Sequence, residues 1–167
     1  MTSSRRAGFT LVELLVAMTL FSVVIAVATG GFIRALRTQR QLVSFASANS
    51  NLSLVLEQMA REIRVGRDFQ QGSETSLGFT NGRGEAVTYA YDRDAEAIER
   101  TVGEGRPQPL TSENVAIKDL RFLLQFPGED AYPARVTVDA AVSPREIGVS
   151  SAVVHIQTTV SARNIGT

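Results

Sequence analysis

The sequence predicts an α+β fold: a long N-terminal helix, transmembrane in its first half and amphipathic in its second, packed on an antiparallel β-sheet head. Three observations predict it. The twenty residues from Leu14 to Ile33 carry no charge. Apolar residues then recur at helical spacing as far as Ile63, and no proline occurs before Pro107 to interrupt them. Beyond residue 66 the pattern changes to apolar–polar alternation, broken by glycine-rich turns. At 167 residues the chain has room for one such domain and a leader.

Composition narrows the function classes. The absence of cysteine removes disulfide scaffolds, thiol catalysis and cysteine-ligated metals. One histidine, His155, cannot build a histidine-based catalytic network or a histidine-rich metal site. Charge is balanced, with 17 basic and 17 acidic residues, but unevenly placed. Residues 34–65 hold five arginines against Glu57 and Glu62, whereas residues 66–167 hold ten basic against fourteen acidic residues. A nucleic-acid binder shows a basic patch on its folded part. The acidic head therefore disfavours direct nucleic-acid contact.

In chain order, the first element is the uncharged run. A twenty-residue helix rises about 30 Å, the thickness of a bilayer's hydrocarbon core. No face of it is polar, which excludes a surface helix of a soluble domain, and a head this small could hardly enclose it. Arg5 and Arg6 precede the run and Arg34, Arg37 and Arg40 follow it, so flanking charge does not settle orientation. Glu13 stands just before the run, inside an apolar stretch that begins at Phe9. A carboxyl there sits either among headgroups or against a partner at membrane depth.

The order Arg5-Arg6, Gly8, Phe9, Thr10-Leu11-Val12-Glu13, Leu14 onward resembles the prepilin signal of type IV pilins and type II secretion pseudopilins. The resemblance covers about residues 5–33. It implies that prepilin peptidase, a membrane aspartyl protease, cuts between Gly8 and Phe9 and N-methylates the new amine of Phe9. Each residue also has a physical reading. Gly8, without a side chain, lets an extended scissile segment approach catalytic carboxylates closely. The new amine of one subunit can pair with Glu13 of its neighbour in an apolar filament core. Leaving one partner of a buried pair alone costs about 3–5 kcal/mol, so Glu13 would set the register of assembly. A rival reading is a secretory signal peptide cut after Ala26-Val27-Ala28. Against it, Glu13 is out of place in such a signal, and the helical pattern runs on past Ala28.

From Leu42 the apolar stripe reads Leu42, Phe45, Asn49, Leu52, Leu56, Met59 and Ile63, one face of a helix with Glu62 off it. The helix is expected from Phe9 to Val65, with Gly66 as its C-terminal cap. Gly30 and Gly31 are its weak point, since each glycine costs about 1 kcal/mol in a helix interior. They read as a hinge for assembly, or equally as a close-packing site between helices. The segment Leu56–Arg64 and the C-terminal Thr159–Asn164 resemble J-type minor pseudopilins and related minor pilins.

Six strands are expected: 77–79, 87–91, 97–102, 118–126, 134–142 and 152–163. Asn81-Gly82-Arg83-Gly84 between the first two favours a hairpin with a type I′ turn. Val136, Val138 and Ala140 alternate with Thr137 and Asp139, and Val154, Ile156, Thr158 and Val160 with His155 and Gln157. Such strands have one face covered, here by the lower helix. The organisation is thus leader 1–8, transmembrane and assembly helix 9–33, amphipathic helix 34–66, and β-rich head 67–167.

Nothing in the head predicts an enzyme. His155 falls on the polar side of its strand, and Asp92, Asp94 and Glu96 lack the glycine and final glutamate of a calcium loop. No cofactor or metal is expected. The resemblance implies a minor rather than a major subunit, because major type IV pilins often close the head with a disulfide. Its partners would be prepilin peptidase, other minor and major pilins or pseudopilins, the inner-membrane assembly platform and the lipid bilayer. It would reside in the inner (cytoplasmic) membrane as a single-pass protein with the head in the periplasm or outside, and then be incorporated in the filament. The function so implied is a tip or priming subunit of a type II secretion pseudopilus. The alternatives are a minor pilin of a type IV or competence pilus, and a membrane-anchored or secreted protein that never polymerises.

Overall fold

The structure, a computed structural model, describes residues 8–125, 133–145 and 153–163. One α-helix, α1 (Leu11–Arg64), precedes eight strands: β1 (Arg67–Ser73), β2 (Ser76–Thr80), β3 (Ala86–Asp92), β4 (Ala97–Val102), β5 (Gln108–Pro109), β6 (Val115–Gln125), β7 (Arg135–Pro144) and β8 (Val154–Ser161). The fold is α+β, as the sequence predicts. The chain divides into two units, residues 1–42 and 43–167.

In the first unit the helix is unbroken through Gly30 and Gly31, and a Cβ added at either glycine meets nothing within 4 Å. Its apolar side chains are exposed all round, from Phe9 at 79% to Ile33 at 44%.

In the second unit the remaining part of α1 buries Ala48, Leu52, Val55, Leu56, Met59 and Ile63. These join Leu77, Phe79, Tyr89, Ile98, Leu120, Val138 and their neighbours in one core. The strands form two antiparallel sheets, ordered β1-β2-β3-β4-β5 and β6-β7-β8. The predicted alternation of β7 holds: Val136, Val138 and Ala140 are buried and Thr137 and Asp139 half-exposed. Gln71 joins the sheets as a strand would. Its side-chain amide donates to the Phe122 carbonyl (2.8 Å) and accepts from the Leu124 N–H (3.2 Å).

Several expectations need correction. Asn49 and Leu42 are exposed, and Ala48 takes the stripe's place one residue earlier. Strands β1 and β5 were not expected. Strand β1 has one partly buried side chain, Phe69, and two register shifts, so it exists through backbone pairing with β2 rather than through side-chain alternation. Strand β5 is only two residues long, held to β4 by pairing at Glu99 and Arg100. Strand β6 starts at Val115, not residue 118. Val115, Ala116 and Ile117 are all buried, so there is no alternation there to read, and a register shift follows between Ile117 and Asp119.

The hairpin between β2 and β3 is present but its turn is not type I′, which needs φ > 0 at both central residues. Only Gly84 has positive φ (83°) in this loop. Asn81 closes it instead, its side-chain oxygen accepting the N–H groups of Arg83 (2.9 Å) and Glu85 (3.0 Å). Gly66 follows the helix without adopting the left-handed conformation of a cap. Its reason is space: a Cβ there would lie 2.7 Å from a ring carbon of Phe79. The last helical carbonyl, of Arg64, is satisfied by the N–H of Arg163 (2.7 Å). The expected strand ends at 126 and 152, the leader 1–7 with Arg5 and Arg6, and Asn164 lie outside the described residues.

Candidate processing and assembly segment

Gly8, Phe9 and Thr10 precede α1 without regular structure and are exposed. A peptide bond in such a segment can be drawn extended into a protease, whereas one inside a helix must first be unwound. Thr10 is the residue that ends the segment and starts the helix. Its hydroxyl oxygen accepts the N–H of Glu13 (3.3 Å), and its carbonyl accepts the N–H of Leu14 (3.2 Å). Thr10 is thus the N-cap, and Thr10-Leu11-Val12-Glu13 has the threonine-to-glutamate spacing of a capping box. Glu13 lies in the first turn, where the positive end of the helix dipole favours a carboxylate. This capping role of Thr10 was legible in the sequence but hidden behind the processing signal.

In the segment beyond Glu13, two hydroxyl groups are satisfied within the helix. Thr19 donates its hydroxyl to the Leu15 carbonyl (2.8 Å), and Ser22 donates to that of Met18 (2.8 Å). Backbone and hydroxyl groups paired in this way are what a hydrocarbon environment requires. The helix is long and apolar enough to cross a membrane, with none of its most apolar stretch buried in the chain.

Among the described residues of the head, Glu62 gathers the densest set of charged and polar partners. Glu62, expected on the polar face, is instead drawn inward, its side chain 17% exposed. It accepts from Arg100 Nε (3.0 Å) and Nη2 (2.6 Å), from Asn81 Nδ2 (3.2 Å) and from the hydroxyl of the fully buried Tyr89. Burial alone would raise the Glu62 pKa, but the bonds from Arg100, Tyr89 and Asn81 outweigh it and hold the carboxyl below its ordinary value. Tyr89 is pushed upward by burial and by the Glu62 carboxylate it donates to. A helix with a polar face gives no sequence signal for this, since the partner Arg100 lies 38 residues away. A cleft of about 360 Å³ opens beside the cluster, lined by Gln58, Arg61, Arg83 and Arg100 among others. Arg61 and Arg100 are already paired, with Glu57 and Glu62. The cluster ties the helix end to the sheet and has the chemistry of a strut, not of an acid–base pair.

The other head residues singled out by sequence are scattered. His155 is exposed on β8. Asp92 Oδ1 accepts the N–H groups of Asp94 and Ala95 in a turn, and Glu96 pairs with Lys118 and Arg145. Among the described residues no three histidine or acidic side chains gather as a metal site.

Comparison with known proteins adds one positive finding. The family described as the prokaryotic N-terminal methylation motif matches residues 3–29. No curated protein and no solved structure gives a match. The matched stretch contains Gly8, Phe9, Thr10 and Glu13 and most of the exposed apolar run. Such a signal implies processing by a prepilin peptidase and assembly with other pilins, and with the apolar helix it is consistent with a single-pass membrane anchor. By this motif, the chain carries the cleavage and methylation signal of the type IV prepilin and pseudopilin class.

Proposed function

We propose that the chain is a minor pilin-like subunit of a type II secretion pseudopilus, acting at its tip or in the complex that primes its assembly. Prepilin peptidase cuts between Gly8 and Phe9 and methylates the Phe9 amine. Residues 9–33 hold the subunit in the inner membrane with the head outside, and then carry it into the filament. The observation that carries this reading is the methylation motif at residues 3–29, continued by a helix whose apolar side chains are exposed on every side. So much apolar surface needs a cover, first lipid and then the helices of neighbouring subunits.

The chemistry divides between two ends of the segment. Cleavage puts a cationic amine at the positive end of the α1 dipole, which is unfavourable without an anion nearby. Glu13 of an adjacent subunit supplies that anion, and only one axial offset brings the two together. Gly30 and Gly31, within the span, let the helix bend as it moves from bilayer to filament. The choice of a secretion pseudopilus rests on the likeness of Leu56–Arg64 to J-type minor pseudopilins, and a minor role fits a head without cysteine. The head serves as a structural surface without catalysis.

The test is the mass of the mature N-terminus from the membrane fraction. The expected chain begins at Phe9 and carries one methyl group. A chain beginning after Ala28, in the soluble fraction, overturns the proposal.

A further inference from the structure

The basic residues beyond the span have no role in processing or in register. Arg34, Arg37 and Arg40 are all exposed on α1 directly after the uncharged run. No acidic residue occurs between Glu13 and Glu57, so none of the three has a carboxylate within a helical turn. Among the described residues none of them forms an ion pair. At 100° and 1.5 Å per residue, they span an arc of about 120° and a rise of about 9 Å. Three unpaired guanidinium groups therefore share one side of the helix over a short height.

That height matches the environment it would meet. If Ile33 ends the hydrocarbon crossing, Arg34 stands at its boundary, and the headgroup layer is about 6 Å deep on each side. Arg37 lies within that layer, and the long stem of Arg40 can fold back to it. Guanidinium binds phosphate oxygens in a two-pronged geometry that ammonium lacks, and all three residues are arginine. Cleavage after Gly8 also removes Arg5 and Arg6, which leaves these three as the nearest cationic side chains to the span in the mature chain.

We propose that Arg34, Arg37 and Arg40 form a binding site for the phosphates of anionic phospholipids in the outer leaflet, which fixes the depth of the subunit until it is drawn into a filament. The site rests on the membrane-span reading above and adds its ligand. It also accounts for positive charge at the outward end of the span, where the usual bias would place little.

The test uses the full-length protein in phosphatidylcholine vesicles containing a minor share of phosphatidylglycerol. The chain has no cysteine, so Thr38→Cys places one fluorophore beside the arginines and Ala26→Cys, in a separate preparation, places one inside the span. The quenchers are phosphatidylglycerol and phosphatidylcholine, each spin-labelled at the same acyl position near the headgroup. The expected result is quenching at position 38 at least about fivefold more effective for phosphatidylglycerol, the preference that one arginine near an anionic surface supplies. The preference falls towards one at high salt and in the R34Q/R37Q/R40Q variant. Equal quenching of position 38 by both lipids overturns the lipid site, as does a preference that survives the triple substitution. Position 26, probed with phosphatidylcholine spin-labelled deep in its acyl chain, reports the span independently: unquenched there, it overturns the membrane reading itself.

Discussion

Glu62→Ala should destabilise the head more than any substitution on the outer face of the helix. The side chain is 17% exposed and accepts four hydrogen bonds, two of them from an Arg100 that is itself 23% exposed. Removing it strands a partly buried guanidinium and the hydroxyl of Tyr89, a residue with no exposed surface. Breaking a fully buried pair costs about 3–5 kcal/mol, and the solvent that reaches Arg100 reduces this to about 2–3 kcal/mol. For a domain of this size that lowers Tm by about 10 °C. The assay is thermal unfolding of the full-length protein in detergent, followed by the circular dichroism of its strands. The control is Glu57→Ala, which breaks the exposed Glu57–Arg61 pair and should cost no more than about 0.5 kcal/mol. Equal melting of the two variants would refute the strut.

The same cluster gives a pH dependence with a definite sign. Glu62 is held below its ordinary pKa of 4.5, so it contributes fully above that value and its contribution is lost as pH falls through the folded pKa. The stability difference between wild type and Glu62→Gln should therefore be constant near neutral pH and narrow below about 4.5.

Two further substitutions test other parts of the molecule. Gly66→Ala puts a Cβ 2.7 Å from the Phe79 ring and should cost about 1–3 kcal/mol by the same melting assay, although replacing glycine by alanine restricts the unfolded chain. Glu13→Gln keeps a residue that suits the capping position but removes the charge; the protein should be cleaved normally, yet co-purify with sheared filaments several-fold less than wild type. Normal incorporation of that variant would sink the charge-pairing account of register.

The parts of the fold that sequence made legible are those governed by local pattern. The uncharged run, the helix to residue 64 and the alternation of β7 and β8 depend on residues a few positions apart, and each was found nearly at its bounds. The methylation motif was legible for the same reason, because its residues are contiguous. What escaped depends on distant partners. Strand β1 is a strand only because β2 lies beside it, and Gln71 bridges sheets through groups more than fifty residues away. Glu62 looked like a solvated charge because its helical neighbours are solvated. Gly66 looked like a cap because glycine after a helix usually is one, while the ring that excludes a side chain there comes from β2.

Glu13 shows why one residue can satisfy both kinds of requirement at once. Within its own chain it stands third in the helix after Thr10, a place where a carboxylate is favoured whether or not any filament forms. Local stability therefore explains an acidic or amide residue at this position, and the helix dipole favours glutamate over glutamine by only about 0.3–1 kcal/mol. The apolar surroundings ask more of the charge. A charge placed beside a wholly apolar run is costly in lipid and more costly in a dry filament core, unless a cation meets it. A methylated Phe9 amine would stay cationic, so the proposed modification would keep the terminus a partner. The helix start fixes where the carboxylate sits, and the proposed cleavage after Gly8 would place the amine four residues earlier on every copy. Two adjacent subunits offset along the filament axis then have one arrangement in which both charges are met. On the proposed pairing, register in the assembled filament is specified by Phe9 and Glu13, within the segment that begins the helix in the monomer.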